Sequence, residues 1–275
     1  PPPPPPPPPL FFFKQKTAYE ISLGLGGLGD VYKRQAFIMI KAVFFDFYNT
    51  LVYFWPRVED IQISACEKFD IEVSREGIGN GYLLADTFFN IENSRFALSR
   101  RSACELSDFF AKYEQIILRG AGVEVDIEKA RSLWEIISMN PKEFKLFDDV
   151  LVCLKELKSK NYIIGIISNI NLEMDAIIKK LGLKSYVNFC VTSQDVGAEK
   201  PSPTIFSAAL RLGDLMPAQA VYIGDQYRSD VVGARNMNML PVLIDRQEQH
   251  SEIVDCIKIR SLSEVPGLVS NWSQY

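Results

Sequence analysis

Two apolar runs in this sequence each end on a carboxylate. Val43, Phe44 and Phe45 lead into Asp46, with Thr50 and Leu51 close behind; far downstream, Val221, Tyr222 and Ile223 lead through Gly224 into Asp225. Strands of an open α/β sheet deliver side chains to a crevice at their carboxyl ends. Acids delivered there can meet around a cation and a phosphoryl group. Two more pieces suit the same task. Residues 163–167 lead into Ser168 and Asn169, and Lys200 stands just before Pro201, Ser202 and Pro203, where a helix is expected to begin. Asp230, shortly after Asp225, completes the set.

These residue types make sense together. A carboxylate that attacks phosphorus splits one hard displacement into two easier ones. Phosphate beside two or three carboxylates would be repelled unless a cation sat among them. Mg2+ prefers oxygen ligands, commonly one or two carboxylates with water and phosphate, and it stabilises charge on transferring oxygens. Lys200 adds a point charge, and the helix beginning near Pro203 adds positive potential from its N-terminus. Each residue also has a plainer reading. A single Asp after a strand is more often a cap or turn residue, and Asp230 can be read as the cap of the helix after it. Asn169, Gln226 and Arg228 fit solvated loops equally well. His250, the sole histidine, lies in a polar run and takes no role.

The elements that must position these groups follow from periodicity. From residue 148 onward, helical stripes alternate with short apolar runs. Helices are expected at 148–160, 171–181, 203–212 and 230–236, and strands at 162–167, 187–191, 220–223, 241–244 and 257–259. Such alternation implies a mostly parallel, doubly wound α/β sheet covered by helices. Residues 53–145 differ: they carry only helical stripes, with expected breaks at 77–81, 120–122 and 140–141. They read as an inserted helical cap of three to five helices over the sheet's carboxyl edge, where a lid would exclude water. The expected organisation is a core of residues 39–52 and 146–275, a cap of residues 53–145, and a leader of residues 1–38.

That leader looks foreign. Nine prolines and an aperiodic stretch after them read like translated adapter sequence, with Met39 as a natural start, so residues 1–38 are set aside from fold reasoning. Within them, Gly24 to Gly29 spells G-x-G-x-x-G but has neither the strand before nor the helix after that a dinucleotide site requires. Residues 36–55 are apolar over the length of a membrane span. They contain Lys41, Asp46 and Asn49, and a charge at mid-bilayer costs ~2.5–3.5 kcal/mol, so a buried strand is expected instead. A net charge of −4 without a basic run argues against nucleic acid as a partner. Five scattered cysteines form no ligand spacing and read as buried or idle thiols of a cytoplasmic protein.

Taken in order, the patterns D-x-x-x-T, S-N, K-P-x-P-x-I-F and G-D-x-x-x-x-D resemble those of the haloacid dehalogenase superfamily of hydrolases, in particular the subfamily with a helical cap after the first motif. The resemblance spans residues 39–246. It implies a Rossmann-like core in which Asp46 is the nucleophile and forms an aspartyl-phosphate. Thr50 would support the nucleophile loop, and Ser168 would bind a phosphoryl oxygen. Lys200 would balance the charge of nucleophile and phosphate. Mg2+ would be held by Asp46, the carbonyl of Tyr48 and Asp225, with Asp230 in or just behind that shell. Tyr48, Ser168, Asn169 and Lys200 are the expected contacts to a small phosphorylated metabolite. No membrane partner is expected, and the sequence sets no oligomeric state.

One position departs from the family pattern. Phosphatases of the superfamily usually carry a second Asp two residues after the nucleophile, as general acid and base; here that residue is Tyr48. General acid–base help is worth ~10²–10⁴-fold, and a phenol is a poor base at neutral pH. Tyrosine also stands there in the true 2-haloacid dehalogenases, whose departing halide needs no proton. Those resemble S-S-N-x-x-D in the fourth motif and work without metal, whereas this chain has Gly224 and Asp225. Their arginine-containing cap segment is also missing, Arg57 being only a distant candidate. The expectation is a Mg2+-dependent phosphatase, slow on alkyl esters and better on aryl or acyl phosphates, with a water or a cap residue as a further source of the proton. The alternatives are a dehalogenase-like hydrolase and a weakly catalytic phospho-ligand-binding protein. Specificity is expected to rest with the cap, where Arg95, Arg100 and Arg101 read either as anion partners or as a solvated helix face.

Overall fold

The computed structural model describes residues 39–272 apart from 97 and 171. The Pro-rich leader and its glycine motif lie outside the described residues. Six parallel strands form the sheet: β1 (Ala42–Phe45), β4 (Ile163–Ser168), β5 (Phe189–Thr192), β6 (Ala220–Gly224), β7 (Leu240–Ile244) and β8 (Ile257–Ile259). Their spatial order is β5-β4-β1-β6-β7-β8. After β1 the chain builds outward through β4 and β5, then crosses back to β6 and builds the other way. β1 therefore sits at the reversal of strand order, where open α/β sheets place their ligands. Phe45 is in register with Ile166 of β4 and Ile223 of β6, so the three strands end within two residues of one another.

Burial on both faces explains why the strands read as unbroken apolar runs. Val43 and Phe45 face one core, with Val150, Leu154 and Leu157 of one helix and Val265 and Val269 of another. Ala42 and Phe44 face the opposite core, with Ile205, Phe206 and Ala209. The helix at Pro203–Leu212 begins as expected, with proline in its first turn and the Ser202 side chain accepting from the Thr204 N–H.

Between β1 and β4 lie four longer helices, α1 (Val58–Glu67), α2 (Arg75–Arg95), α3 (Ala103–Gly120) and α4 (Ile127–Met139). They pack around an apolar core of their own that includes Ile61, Ile78, Ile117, Leu118 and Leu133. The expected break at residues 77–81 is not there, because those glycines lie inside α2. The physical reason is close helix packing. A Cβ at Gly81 would meet the Ile117 carbonyl oxygen at 2.1 Å, and one at Gly120 would meet the Gly81 Cα at 2.5 Å. Glycine weakens a helix by roughly 1 kcal/mol relative to alanine, and here tertiary contact overrides that preference.

A two-stranded antiparallel ribbon carries the chain out of the sheet and back. β2 (Val52–Trp55) pairs with β3 (Glu143–Leu146), Phe54 opposite Phe144 with their rings stacked at 4.9 Å. Sequence patterning did not resolve it, since β2 merges with the apolar run before it and β3 is only four residues long. The helix expected at residues 230–236 begins earlier, as a π-helical turn at Tyr227–Val232 followed by a short α-helix at Gly233–Asn236. A final helix at Val265–Trp272 was also not anticipated. No helix among the described residues is long and apolar enough to cross a membrane.

Candidate active site

Asp46 continues β1, its N–H donating to the Ile223 carbonyl at 2.8 Å, and it is only 7% exposed. The chain then turns back on itself. Asn49 takes the left-handed conformation (φ 59°), which asparagine tolerates better than most residues. The N–H groups of Leu51 and Val52 both donate to the Phe47 carbonyl. Thr50 is buried under this turn, and its carbonyl accepts from Arg246 Nη2 at 2.9 Å. Arg246 makes two further bonds to the carboxylate of Asp149, which also accepts from Ser261 and the Leu262 N–H. Thr50 thus holds the loop through its backbone, while its Oγ1 has no protein partner among the described residues.

Lys200 reaches the same point from the opposite side of the strand ends. Its Nζ donates to Asp46 Oδ1 at 2.5 Å, Asp230 Oδ1 at 2.7 Å and the Tyr222 hydroxyl at 3.0 Å. Asn169 sets the backbone of Lys200: its Oδ1 accepts from the Lys200 N–H at 2.7 Å and its Nδ2 donates to the Lys200 carbonyl at 3.2 Å. Ser168 is buried at the end of β4, its Oγ accepting from the Ile170 N–H at 3.2 Å.

Asp230 is held at both oxygens. Oδ1 takes Lys200 and the Tyr222 hydroxyl, and Oδ2 accepts the Gln226 N–H at 2.9 Å. The π-helical turn that carries it is a form often found at functional sites. Gly224 makes room for it, since a Cβ there would lie 2.2 Å from Asp230 Oδ2. That contact accounts for the glycine before Asp225. Oxygen atoms of Asp46, Asp225 and Asp230 lie within 4.8 Å of one another.

The charges of this cluster do not balance. Three carboxylates face one ammonium. Burial pushes the Asp46 carboxyl up to about 6 even with Lys200 beside it. Burial, then the charges of Asp46 and Asp230, hold Asp225 well above the usual carboxylate range. Burial disfavours the charge on Lys200, but Asp230 and Asp46 outweigh it and hold the ammonium protonated. A cluster of oxygen donors with surplus negative charge has the make-up that hard divalent cations take. With both Asp230 oxygens engaged by protein donors, Asp225 and Asp46 are the carboxylates best placed to serve one.

Over these strand ends lies a cavity of about 710 Å³, roofed by the inserted helices. Tyr48, Asp225 and Arg246 line its floor, and Asp86, Tyr113 and Trp134 its roof. Tyr48 packs against Phe54 at 4.7 Å; burial, with the nearby Asp86 and Asp225 carboxylates, raises its phenol well above the ordinary range, so it stays neutral. Arg57 lines the wall with its guanidinium stacked 3.8 Å over Tyr53. Arg95, Arg100 and Arg101 do not line the cavity. Arg101 instead donates to the Glu92 and Phe96 carbonyls, and Arg95 pairs with Glu92. The inserted helices touch the lysine loop directly, Asn93 Nδ2 donating to Glu199 Oε2 at 2.5 Å.

The structure therefore brings together Asp46, Thr50, Ser168, Asn169, Lys200, Asp225 and Asp230, with Tyr48 on the cavity floor. Sequence reasoning missed Tyr222, Arg246, Asp149 and Asp86. Tyr222 was legible only as a strand residue; its position just before Gly224 and Asp225 is the signal that could have marked it.

Comparison with known proteins points the same way. A family model described as haloacid dehalogenase-like hydrolase matches residues 84–244, more than half of the chain. A glyceraldehyde 3-phosphate phosphatase of Methanothermobacter thermautotrophicus is 35% identical over 107 residues, 38% of this chain and 47% of that protein. A haloacid dehalogenase-like hydrolase domain-containing protein 3 of Danio rerio is 30% identical over 130 residues, 46% of this chain and 54% of that protein. The chain thus spans about half the length of these curated relatives. Among solved structures, a phosphatase from Thermococcus onnurineus superposes with a TM-score of 0.51 at 24% identity, over 84% of this chain and 98% of that one. A 2-haloacid dehalogenase from Pseudomonas syringae superposes with 0.52, also at 24% identity, over 85% and 100%. At that identity the two superpositions show a shared fold.

Proposed function

Because the chain belongs to the haloacid dehalogenase-like hydrolase family, we propose that it is a Mg2+-dependent phosphohydrolase acting on small phosphorylated metabolites through a phosphorylated Asp46. Residues 39–52 and 146–275 are the catalytic core and residues 53–145 the cap. The observation that carries the reading is the grouping of buried Asp46 and Asp230, both bonded to Lys200, with half-buried Asp225, a charge arrangement with an excess of oxygen donors. The phosphatase name of the Methanothermobacter relative supports it.

In this reading Asp46 attacks phosphorus while Lys200 holds the nucleophile in place and offsets the charge of the incoming phosphoryl group. Ser168 donates its hydroxyl to a phosphoryl oxygen. Asn169 acts by fixing the Lys200 backbone, with its amide at the edge of the substrate site. Asp46, Asp225 and the Tyr48 carbonyl would hold Mg2+, with Asp230 supporting from behind, and the ion would supply charge stabilisation on the transferring oxygens. Water then attacks phosphorus of the phosphorylated Asp46 and releases phosphate. The reaction belongs in the cytoplasm, where such metabolites are found.

Tyr48 favours one competing reading, halide release from 2-halo acids, because a departing halide needs no proton. The two separate on one panel. Phosphate release from alkyl, aryl and acyl phosphates is expected with Mg2+ and lost in EDTA. Halide release from a 2-chloro acid that persists in EDTA, with no phosphate release from any ester or acyl phosphate, would replace this reading with the dehalogenase.

A further inference from the structure

We propose that Asp86, carried by cap helix α2, is the acid–base group that the nucleophile loop lacks at Tyr48, and that it protonates the leaving oxygen from across the cavity. This rests on the phosphohydrolase reading above.

Placement carries the inference. In phosphoryl transfer the attacking and leaving oxygens lie roughly in line. Asp46 stands at the strand ends just beneath the floor, a carboxylate oxygen within 4.8 Å of one on the cavity-lining Asp225, so a group attacked there departs toward the cavity and its roof. A proton donor must therefore stand on the cap side, and Asp86 lines the same cavity as Tyr48 and Asp225. Its carboxyl is oriented by the Tyr113 hydroxyl, which donates to Oδ1 at 2.7 Å. Tyr113 is itself packed against Trp134 and Phe89, which fixes that hydroxyl. The Tyr113 bond falls on Oδ1, which leaves Oδ2 to meet a substrate atom. Asp86 is partly exposed, with the cavity as its open side.

The electrostatics suit the role. Burial pushes the Asp86 carboxyl up to about 6, against the bond from Tyr113. An acid tuned near the working pH can both give and take a proton. The ionisable groups around it are the phenols of Tyr48 and Tyr82 from the loop and its own helix, Tyr113 from α3, and the carboxylate of Asp225 from beyond β6. Arg57, Glu59, Lys142 and Arg228 also line the walls.

The cycle balances. Asp46 Oδ forms a bond to phosphorus as the phosphorus–ester oxygen bond breaks, and the Asp86 proton passes to the leaving alkoxide. Asp86, now ionised, takes a proton from the water that attacks phosphorus of phosphorylated Asp46. That step releases phosphate, frees the Asp46 carboxylate and restores protonated Asp86.

The test compares leaving groups in Asp86→Asn, a variant that keeps an acceptor for Tyr113. Hydrolysis of an alkyl phosphate should fall ~10²-fold or more. Phosphorylation of Asp46 by an acyl phosphate, whose leaving group needs no proton, should be little changed in a single-turnover burst, which also shows that the variant is folded. Adding Tyr48→Asp to Asp86→Asn should restore alkyl phosphate turnover, since the loop then carries its own acid. If the wild type releases phosphate but Asp86→Asn slows the phosphorylation of Asp46 by both substrates equally, slows it for neither, or is not rescued by Tyr48→Asp, the assignment is overturned. If the wild type releases no phosphate from any substrate, the phosphohydrolase reading itself has failed.

Discussion

Lys200→Met should abolish turnover and also destabilise the protein. The lysine uses all three of its protons, on Asp46, Asp230 and Tyr222, at a site that is only 6% exposed. Methionine fills similar space but leaves buried carboxylates facing one another without a counter-charge. Removing one partner of a buried ion pair typically costs ~3–5 kcal/mol, because the other charge stays buried and uncompensated. Loss of one preorganised electrostatic contact to a reacting centre typically costs ~10²–10³-fold in rate. Both effects should appear together, in denaturant unfolding and in kcat. Lys200→Arg should restore part of the stability and little of the rate, because a planar guanidinium cannot present three donors around a point as an ammonium does. A Lys200→Met protein as stable as the wild type would mean that the three-way pairing is not what holds these strand ends together.

Asp46→Asn should separate those two effects. Turnover should fall at least ~10⁴-fold, as befits removal of the proposed nucleophile, while the unfolding midpoint stays at or above that of the wild type. The reason lies in the charge imbalance. The substitution would remove one of three crowded carboxylates, and Lys200 would keep Asp230 and Tyr222. Burial already penalises the ionised Asp46, which is why its carboxyl sits near 6. That penalty is fully present above about pH 6 and disappears toward the unfolded value of 3.8, so any gain in stability should be seen at neutral pH and fade on acidification. Equal loss of stability in Asp46→Asn and Lys200→Met would contradict this account.

How much of this was legible in the sequence depends on whether a residue's role is local. Asp46, Ser168 and Asp225 follow strands that announce themselves as apolar runs, and a parallel sheet brings such ends together whatever the intervening loops do. Lys200 precedes a helix with proline in its first turn, so its place at an element end could also be read directly. Asp230 was ambiguous because its role depends on the π-helical turn, and nothing in Tyr227 to Val232 distinguishes that turn from the start of an ordinary helix. Gly81 was misread for a related reason. Glycine breaks helices by local propensity, and only the neighbouring helix, pressing the Ile117 carbonyl against it, explains its presence inside α2. Asp86 sits on a helix with no motif around it. Its place in the cavity roof is a product of how the inserted helices fold back, which no spacing along the chain encodes.

The proposed reaction passes through a phosphorylated Asp46 on the way to free phosphate. The stereochemical course at phosphorus tests this most directly, using an ester whose transferred phosphoryl group is made chiral by sulfur and oxygen isotopes, hydrolysed in isotopically labelled water. Two successive in-line displacements, first by Asp46 and then by water, predict net retention of configuration. Net inversion would mean that water attacks the substrate directly and that Asp46 is not the nucleophile.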